Sequence, residues 1–197
     1  MAQTRDVDFN KRATEFDEGI EGRASQRFYN LLLREVELRP QAAVLDVGCG
    51  TGALLSRFAA TCDIVGFGID IAEEMLNVAR DKCPQMVFHV ARCDDMPFDD
   101  QSFDVITACM AYHHFDNKLG FASEAARVIK PGGMLYIADP RLPWLIRKTM
   151  NGALRLLRIA GEFVTPQEMA ERFGAIGFTN AGVATDAYAQ VVKLRRL

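Results

Sequence analysis

Val44-Leu45-Asp46-Val47-Gly48-Cys49-Gly50-Thr51-Gly52 runs from a short apolar stretch straight into three closely spaced glycines. A buried strand that enters such a loop and then a helix lets the backbone turn sharply and approach a ligand without interference from Cβ atoms. The helix beyond presents free N–H groups at its start, which favour an anionic group such as a phosphate or carboxylate. Gly48, Gly50 and Ala53 also satisfy the G-x-G-x-x-G/A spacing of dinucleotide sites. Asp70, at the end of the next apolar run, stands where a carboxylate accepts hydrogen bonds from both hydroxyls of a ribose. The stretch predicts a nucleotide-type ligand on a strand–loop–helix unit, and the glycines alone leave NAD open.

Outward from this loop, short apolar runs alternate with helix-length segments. Ala42 to Val47, Ile64 to Ile69, Met86 to Val90, Phe103 to Ala108 and Met134 to Ala138 read as buried strands; Gly52 to Ala60, Ala72 to Lys82 and Leu119 to Ile129 read as helices. Strands apolar on both faces, separated by helices, make a parallel sheet covered on both sides. The expected fold is therefore α/β, a Rossmann-like doubly wound, mostly parallel sheet, with an antiparallel C-terminal edge strand. Ser25 to Leu38 carries Phe28, Leu31, Leu32 and Val36 at helical spacing, and Lys130-Pro131-Gly132-Gly133 is a turn that launches the next strand. Beyond Asp139, Trp144 to Ile159 places Leu145, Ile146, Met150, Leu154 and Leu157 along one side of a helix. A further helix follows, with Thr165 as N-cap, Pro166 at its first position and Glu168 near the capping-box place. Thr179 to Thr185 and Tyr188 to Leu194 read as a pair of edge strands.

The chain has 197 residues, fitting one domain. The expected division is an N-terminal helical cap (1–40), a ligand-binding core (41–140), a lid over the substrate (141–165), and a C-terminal helix with edge strands (166–197). Apolar residues make up 49% of the sequence and the formal net charge is −3, which excludes disorder and the basic footprint of nucleic-acid binding. Five cysteines without a C-x-x-C pair, and without Cys/His zinc spacing, read as reduced thiols of a cytoplasmic protein with no metal. Met1 to Asp17 carries too many charges for a signal peptide, and no run approaches the ~20 apolar residues of an integral membrane span. Arg141, Arg147, Lys148, Arg155 and Arg158 interleave with apolar residues. They read as a solvated helix face, with an acidic substrate or a membrane surface as the other reading.

The string VLDVGCGTG followed by GIDIAEEML resembles the class I S-adenosylmethionine-dependent methyltransferases, in particular their small-molecule, methyltransferase type 11-like branch. CDDMPFDDQSFDVITACMAYHHF resembles that family's third and fourth motif region, and EAARVIKPGGMLYIAD its fifth-strand segment, so the likeness covers roughly residues 40 to 140. The resemblance implies S-adenosyl-L-methionine as cofactor and S-adenosyl-L-homocysteine as product. It places Gly48, Gly50 and Gly52 at the methionine part and has Asp46 orient the amino end. Asp70 would hold the ribose and Ile71 pack beside the adenine, with Ala108 near the cofactor at the end of the fourth strand. The family's Asp-Ala before Leu-Pro-Phe is replaced here by Arg92 and Cys93 before Met96-Pro97-Phe98. Asp94 or a backbone carbonyl would then accept the adenine amino group, and Cys93 would use its backbone N–H.

Methyl transfer from a sulfonium is an in-line displacement, which asks the protein to align the acceptor, exclude water and, where needed, take a proton. Tyr112, His113 and His114 follow the fourth strand at the ligand-facing edge. His113 and His114 are the candidate general bases, since histidine titrates near neutrality. A histidine packed in the core with a satisfied hydrogen bond is the competing reading. Tyr112 and Trp144 are the candidate acceptor contacts, and Phe9 and Phe16 stand in a segment placed to fold over the cofactor. An NAD(P)-dependent reductase shares the glycine loop. Its Tyr-x-x-x-Lys pair is missing, because Tyr29, Tyr112, Tyr136 and Tyr188 are followed at that spacing by Leu33, Asp116, Pro140 and Val192. A non-catalytic S-adenosylmethionine-binding protein remains open, because fold and cofactor do not establish turnover.

Overall fold

The computed structural model describes residues 9–157 and 161–197. Seven strands form one sheet in the order β3-β2-β1-β4-β5-β7-β6. Strands β1 (Ala43–Val47), β2 (Val65–Asp70), β3 (Val87–Val90), β4 (Phe103–Cys109) and β5 (Ile129–Pro140) pair in parallel. β6 (Phe178–Asp186) and β7 (Ala189–Arg196) form a hairpin, in which β7 runs antiparallel to both β5 and β6.

The chain therefore builds the mostly parallel, doubly wound sheet that its alternating pattern predicts. The C-terminal hairpin forms the expected antiparallel edge pair, with β7 next to β5 and β6 at the very edge. Consecutive residues point to opposite faces of a strand, and Val191 and Val192 are both fully buried, so both faces of β7 are covered. In β6 the run from Thr179 to Ala181 is exposed, which an edge strand tolerates. One detail differs: β5 begins at Ile129, not Met134. Phe103 pairs with Ile129 and Val105 with Met134, so the Lys130–Gly133 segment is taken up as a bulge within the strand rather than as a turn before it.

Five longer helices cover the sheet, α1 (Ile20–Glu35), α2 (Ala53–Ala59), α3 (Glu73–Lys82), α4 (Lys118–Val128) and α6 (Pro166–Gly174), while α5 (Trp144–Leu156) lies outside these layers with no buried residue. Val44 packs with Phe28 and Leu32 of α1, Leu55 and Phe58 of α2 and Leu76 of α3 on one face. Its neighbour Leu45 packs with Phe121 and Ala125 of α4 and Met169 and Phe173 of α6 on the other. Each fully buried Leu or Phe of these layers contributes about 1.5–3 kcal/mol relative to exposure. α6 starts as its sequence predicts: the Thr165 hydroxyl accepts from the Glu168 N–H, and the Glu168 carboxylate accepts from the Thr165 N–H, a complete capping box. Of the expected 144–159 helix, residues 158 and 159 lie outside the described residues.

Candidate active site

In an open parallel sheet, ligands bind beyond the carboxyl ends of the strands, where the strand order reverses. Here that point lies between β1 and β4, and a cavity of about 510 Å³ opens there. Its volume falls within the ~300–1,000 Å³ of small-molecule and cofactor sites. The glycine loop forms one wall. The N–H groups of Gly48 and Cys49 both donate to the Ile69 carbonyl, at 2.8 and 3.0 Å, which folds the loop back over the end of β2. Gly48 has φ +74°, and a Cβ on it would lie 2.6 Å from that of Ala111, so the loop and the segment after β4 approach too closely for any side chain. Gly50, with φ +51°, has open space beside it where a Cβ would point.

Asp70 is fixed at the other side of the loop. Its Oδ2 accepts from the Gly50 N–H at 2.9 Å and its Oδ1 from the Ala72 N–H at 3.0 Å. A carboxylate offers about four acceptor sites over its two oxygens, so a group held in this way can also accept hydroxyls from a ligand. With Ile71 beside it, a carboxylate held in this way and an apolar ledge suit a ribose carrying a planar base. Gly48, Gly50, Asp70, Ile71, Cys93 and His114 all line the cavity. The residues present fit the cofactor that the sequence implies.

Several site residues expected from sequence stand elsewhere. Asp46 is 2% exposed and lies behind the loop, where its Oδ1 accepts from the Thr107 hydroxyl at 2.7 Å. Burial pushes its carboxyl up to about 7. Gly52 caps α2 with a Cβ position 3.1 Å from Ala79, so it serves the packing of α2 on α3 rather than the cavity. Asp94 does not line the cavity; its carboxylate is taken up by Arg92 at 2.9 Å and by Asn117 at 2.9 Å. Ala108 is fully buried within β4 and belongs to the layer under α4; the cavity begins one residue later, at Cys109.

The two histidines are separated by one step of a 3₁₀ turn, Tyr112–His114. His114 lines the cavity. His113 is buried behind it, with its Nδ1 at 2.8 Å from Asp139 Oδ1 and its ring stacked on Phe163 at 4.9 Å. The two imidazoles touch, with centroids 4.0 Å apart. Tyr112 is likewise in the core, against Phe121 and Phe173, and burial pushes its phenol up to about 12. Among the described residues its buried hydroxyl has no hydrogen-bond partner, although the nearby Arg172 guanidinium offsets part of that rise. Trp144 is 65% exposed on α5 and is not among the residues that line the cavity.

Other cavity residues carry no motif. Ser25 and Tyr29 of α1 reach the cavity, four residues apart and so on one helix face. Among the many polar residues of that helix nothing in the sequence marks these two, and only the fold brings them to the cavity. Phe9 and Phe16 close the opposite side, and their segment is tied down where Asn10 Oδ1 accepts from the Glu74 N–H at 3.0 Å and Asp17 accepts from the Thr51 hydroxyl at 2.6 Å. Phe115 and Asp116 are shared with a second cavity of about 460 Å³, whose walls include Lys118, Glu162 and Arg172. Among the described residues, no group of three or more His, Cys, Asp or Glu side chains is placed to hold a metal ion.

Comparison with known proteins places this geometry. The family described as "Methyltransferase domain" matches residues 45–137. Demethylmenaquinone methyltransferase of Chlorobaculum parvum is 38% identical over 110 residues, 56% of this chain and 46% of that protein. The 27-O-demethylrifamycin SV methyltransferase of Amycolatopsis mediterranei is 34% identical over 122 residues, 59% of this chain and 45% of its own. The chain thus spans about half the length of the curated relatives it matches. A putative methyltransferase of Haloferax volcanii, solved with the Trm112 methyltransferase activator, superimposes with a TM-score of 0.82 at 23% identity, covering 95% of this chain and 97% of that one. A SAM-dependent methyltransferase from Aquifex aeolicus superimposes at 0.75 with 22% identity, covering 95% and 98%. These two share the fold.

Proposed function

Because residues 45–137 form a domain of the class I S-adenosylmethionine-dependent methyltransferases, we propose that this chain transfers the cofactor's methyl group to a small-molecule acceptor. The observation that carries the reading is the cavity at the switch point, walled by the Gly48–Gly50 loop and the pinned Asp70 carboxylate. The bound cofactor supplies an electrophilic methyl on a sulfonium, so that the acceptor atom gains the C–X bond while the C–S electron pair returns to sulfur. In this reading Asp70 holds the ribose hydroxyls, Ile71 packs on the adenine, and the loop leaves room for the amino-acid end at Gly50. Phe9 and Phe16 exclude water from one side.

His114 is the general base of this proposal, since it is the histidine that meets the cavity. His113 is a positioning residue: Asp139 fixes its ring, and that ring backs His114. Phe115 and Asp116 border both cavities, so the acceptor reaches the methyl group from the side of Lys118 and Arg172. The curated relatives named above methylate a demethylmenaquinone and a demethylrifamycin, which supports a small organic acceptor here. Two measurements test the reading. Calorimetric titration should show binding of S-adenosylhomocysteine and none of NADH. A panel of small acceptors should then release S-adenosylhomocysteine with at least one member; binding without release from any acceptor, free amines and hydroxyls included, would leave a cofactor-binding protein without turnover.

A further inference from the structure

Helix α5 is built the wrong way round for a helix that packs on its own protein. An amphipathic helix ordinarily turns its apolar arc inward. Here none of the thirteen residues of α5 is buried. Trp144, Leu145, Ile146, Met150, Leu156 and, just beyond the helix end, Leu157 are all exposed, Leu145 at 62% and Leu156 at 84%. At about 100° per residue, Leu145, Ile146, Met150, Leu156 and Leu157 fall within one arc. The opposite, polar side holds the helix to the body. Asn151 exchanges two hydrogen bonds with the backbone of Phe163, at 2.8 and 2.9 Å, and Arg147 pairs with Glu168 at 3.0 Å.

We propose that α5 is a docking helix that lays its apolar arc into the surface of an anionic lipid bilayer. Charge favours this occupant. The molecule carries a formal net charge of −3, yet no acidic residue occurs between Asp139 and Glu162, a stretch that holds Arg141, Lys148 and Arg155 beside the apolar arc. Lys148, on the flank next to Leu145, sits over the Trp144 ring at 5.2 Å; Trp144 itself lies about 100° round from Leu145, outside the apolar arc. Against a second copy, the same cations would meet across a two-fold axis and repel. The helix is too short to span a bilayer and long enough to lie in its interface. Leu157 belongs both to the exposed arc and to the cavity wall, so docking would bring the cavity mouth to the lipid surface. The inference concerns where the protein works and is independent of the methyl-transfer reading.

The full chain should float with vesicles of phosphatidylcholine and phosphatidylglycerol, and should bind far more weakly to phosphatidylcholine alone or at high salt. Each of Lys148→Glu and Arg155→Glu should lower partitioning by about fivefold or more. Leu145→Asp with Ile146→Asp should abolish flotation while leaving S-adenosylhomocysteine binding intact. Three results would overturn the proposal: no flotation with anionic vesicles, flotation that survives Leu145→Asp with Ile146→Asp, or dimers in analytical ultracentrifugation that the same pair of substitutions abolishes.

Discussion

Asp46 shows how depth, and not motif alone, sets the chemistry of a motif residue. Its position in the glycine string marks it, but Val44 and Leu45 before it are fully buried, and Asp46 shares their depth. Desolvation raises its carboxyl to about 7, so the folded protein keeps a proton between about pH 4 and 7 that the unfolded chain gives up. Its stabilising contribution is therefore complete below about pH 4 and is lost as pH rises through about 7, a swing on the order of a few kcal/mol. Asp46→Asn cannot ionise. It should be more stable than the parent at pH 8 by a larger margin than at pH 5, as measured by urea unfolding; parallel profiles would mean the carboxyl is not desolvated. The histidine pair divides along the same line, since adjacent residues of a turn cannot both face one pocket. His114→Gln should lower single-turnover rates by about 10²–10⁴ with cofactor affinity unchanged, an unchanged rate leaving acceptor alignment without a protein base. His113→Gln should instead reduce stability, because it removes the imidazole paired with the buried Asp139.

At the scale of elements, periodicity located the strands and most helices to within a few residues, because burial on both faces leaves an unmistakable apolar run. It misplaced the start of β5, where a Pro-Gly-Gly segment that reads as a turn is absorbed as a bulge, and it left the order of the C-terminal hairpin open. For α5 the stripe was legible and its direction was not. An apolar arc says that something covers it, and a sequence alone does not tell whether that cover is the same molecule. Substrate control by this segment remains testable as a lid. Shortening α5 should weaken acceptor affinity at least tenfold more than cofactor affinity, with both ligands titrated separately; equal losses would make α5 a structural support for the cavity. The N-terminal segment was legible only through Phe9 and Phe16, and its anchoring through Asn10 and Asp17 depends on partners 64 and 34 residues away.

At the scale of the molecule, the cavity draws its walls from the glycine loop, the ends of β2 and β4, α1 and the N-terminal segment. A ligand that touches all of these binds only the folded chain, and so stabilises it as a whole. At about a hundredfold excess over its dissociation constant, S-adenosylhomocysteine should add about 2.7 kcal/mol to the unfolding free energy. Asp70→Ala should weaken cofactor binding at least tenfold and so lose about half of that increment or more at the same ligand concentration, since a charge-assisted hydrogen bond is worth about 1.5–3 kcal/mol. Differential scanning calorimetry with and without ligand reads both, and a variant stabilised as much as the parent would remove the ribose assignment. The loop and Asp70 announced this site because each does something only its residue type does. Ser25, Tyr29 and Asp116 stayed silent because their role comes from the fold that gathers them.

The place of β7 sets a rule for synthesis. Translation delivers Ala189–Arg196 after every other strand, yet β7 is the one that β5 and β6 both require as a neighbour. Until it emerges from the ribosome, Met134 to Pro140 presents an apolar strand with an unpaired edge, the kind of surface that recruits strands from other chains. A nascent chain stalled before residue 189 would therefore be a client for chaperones, even though its glycine loop and Asp70 had long been made.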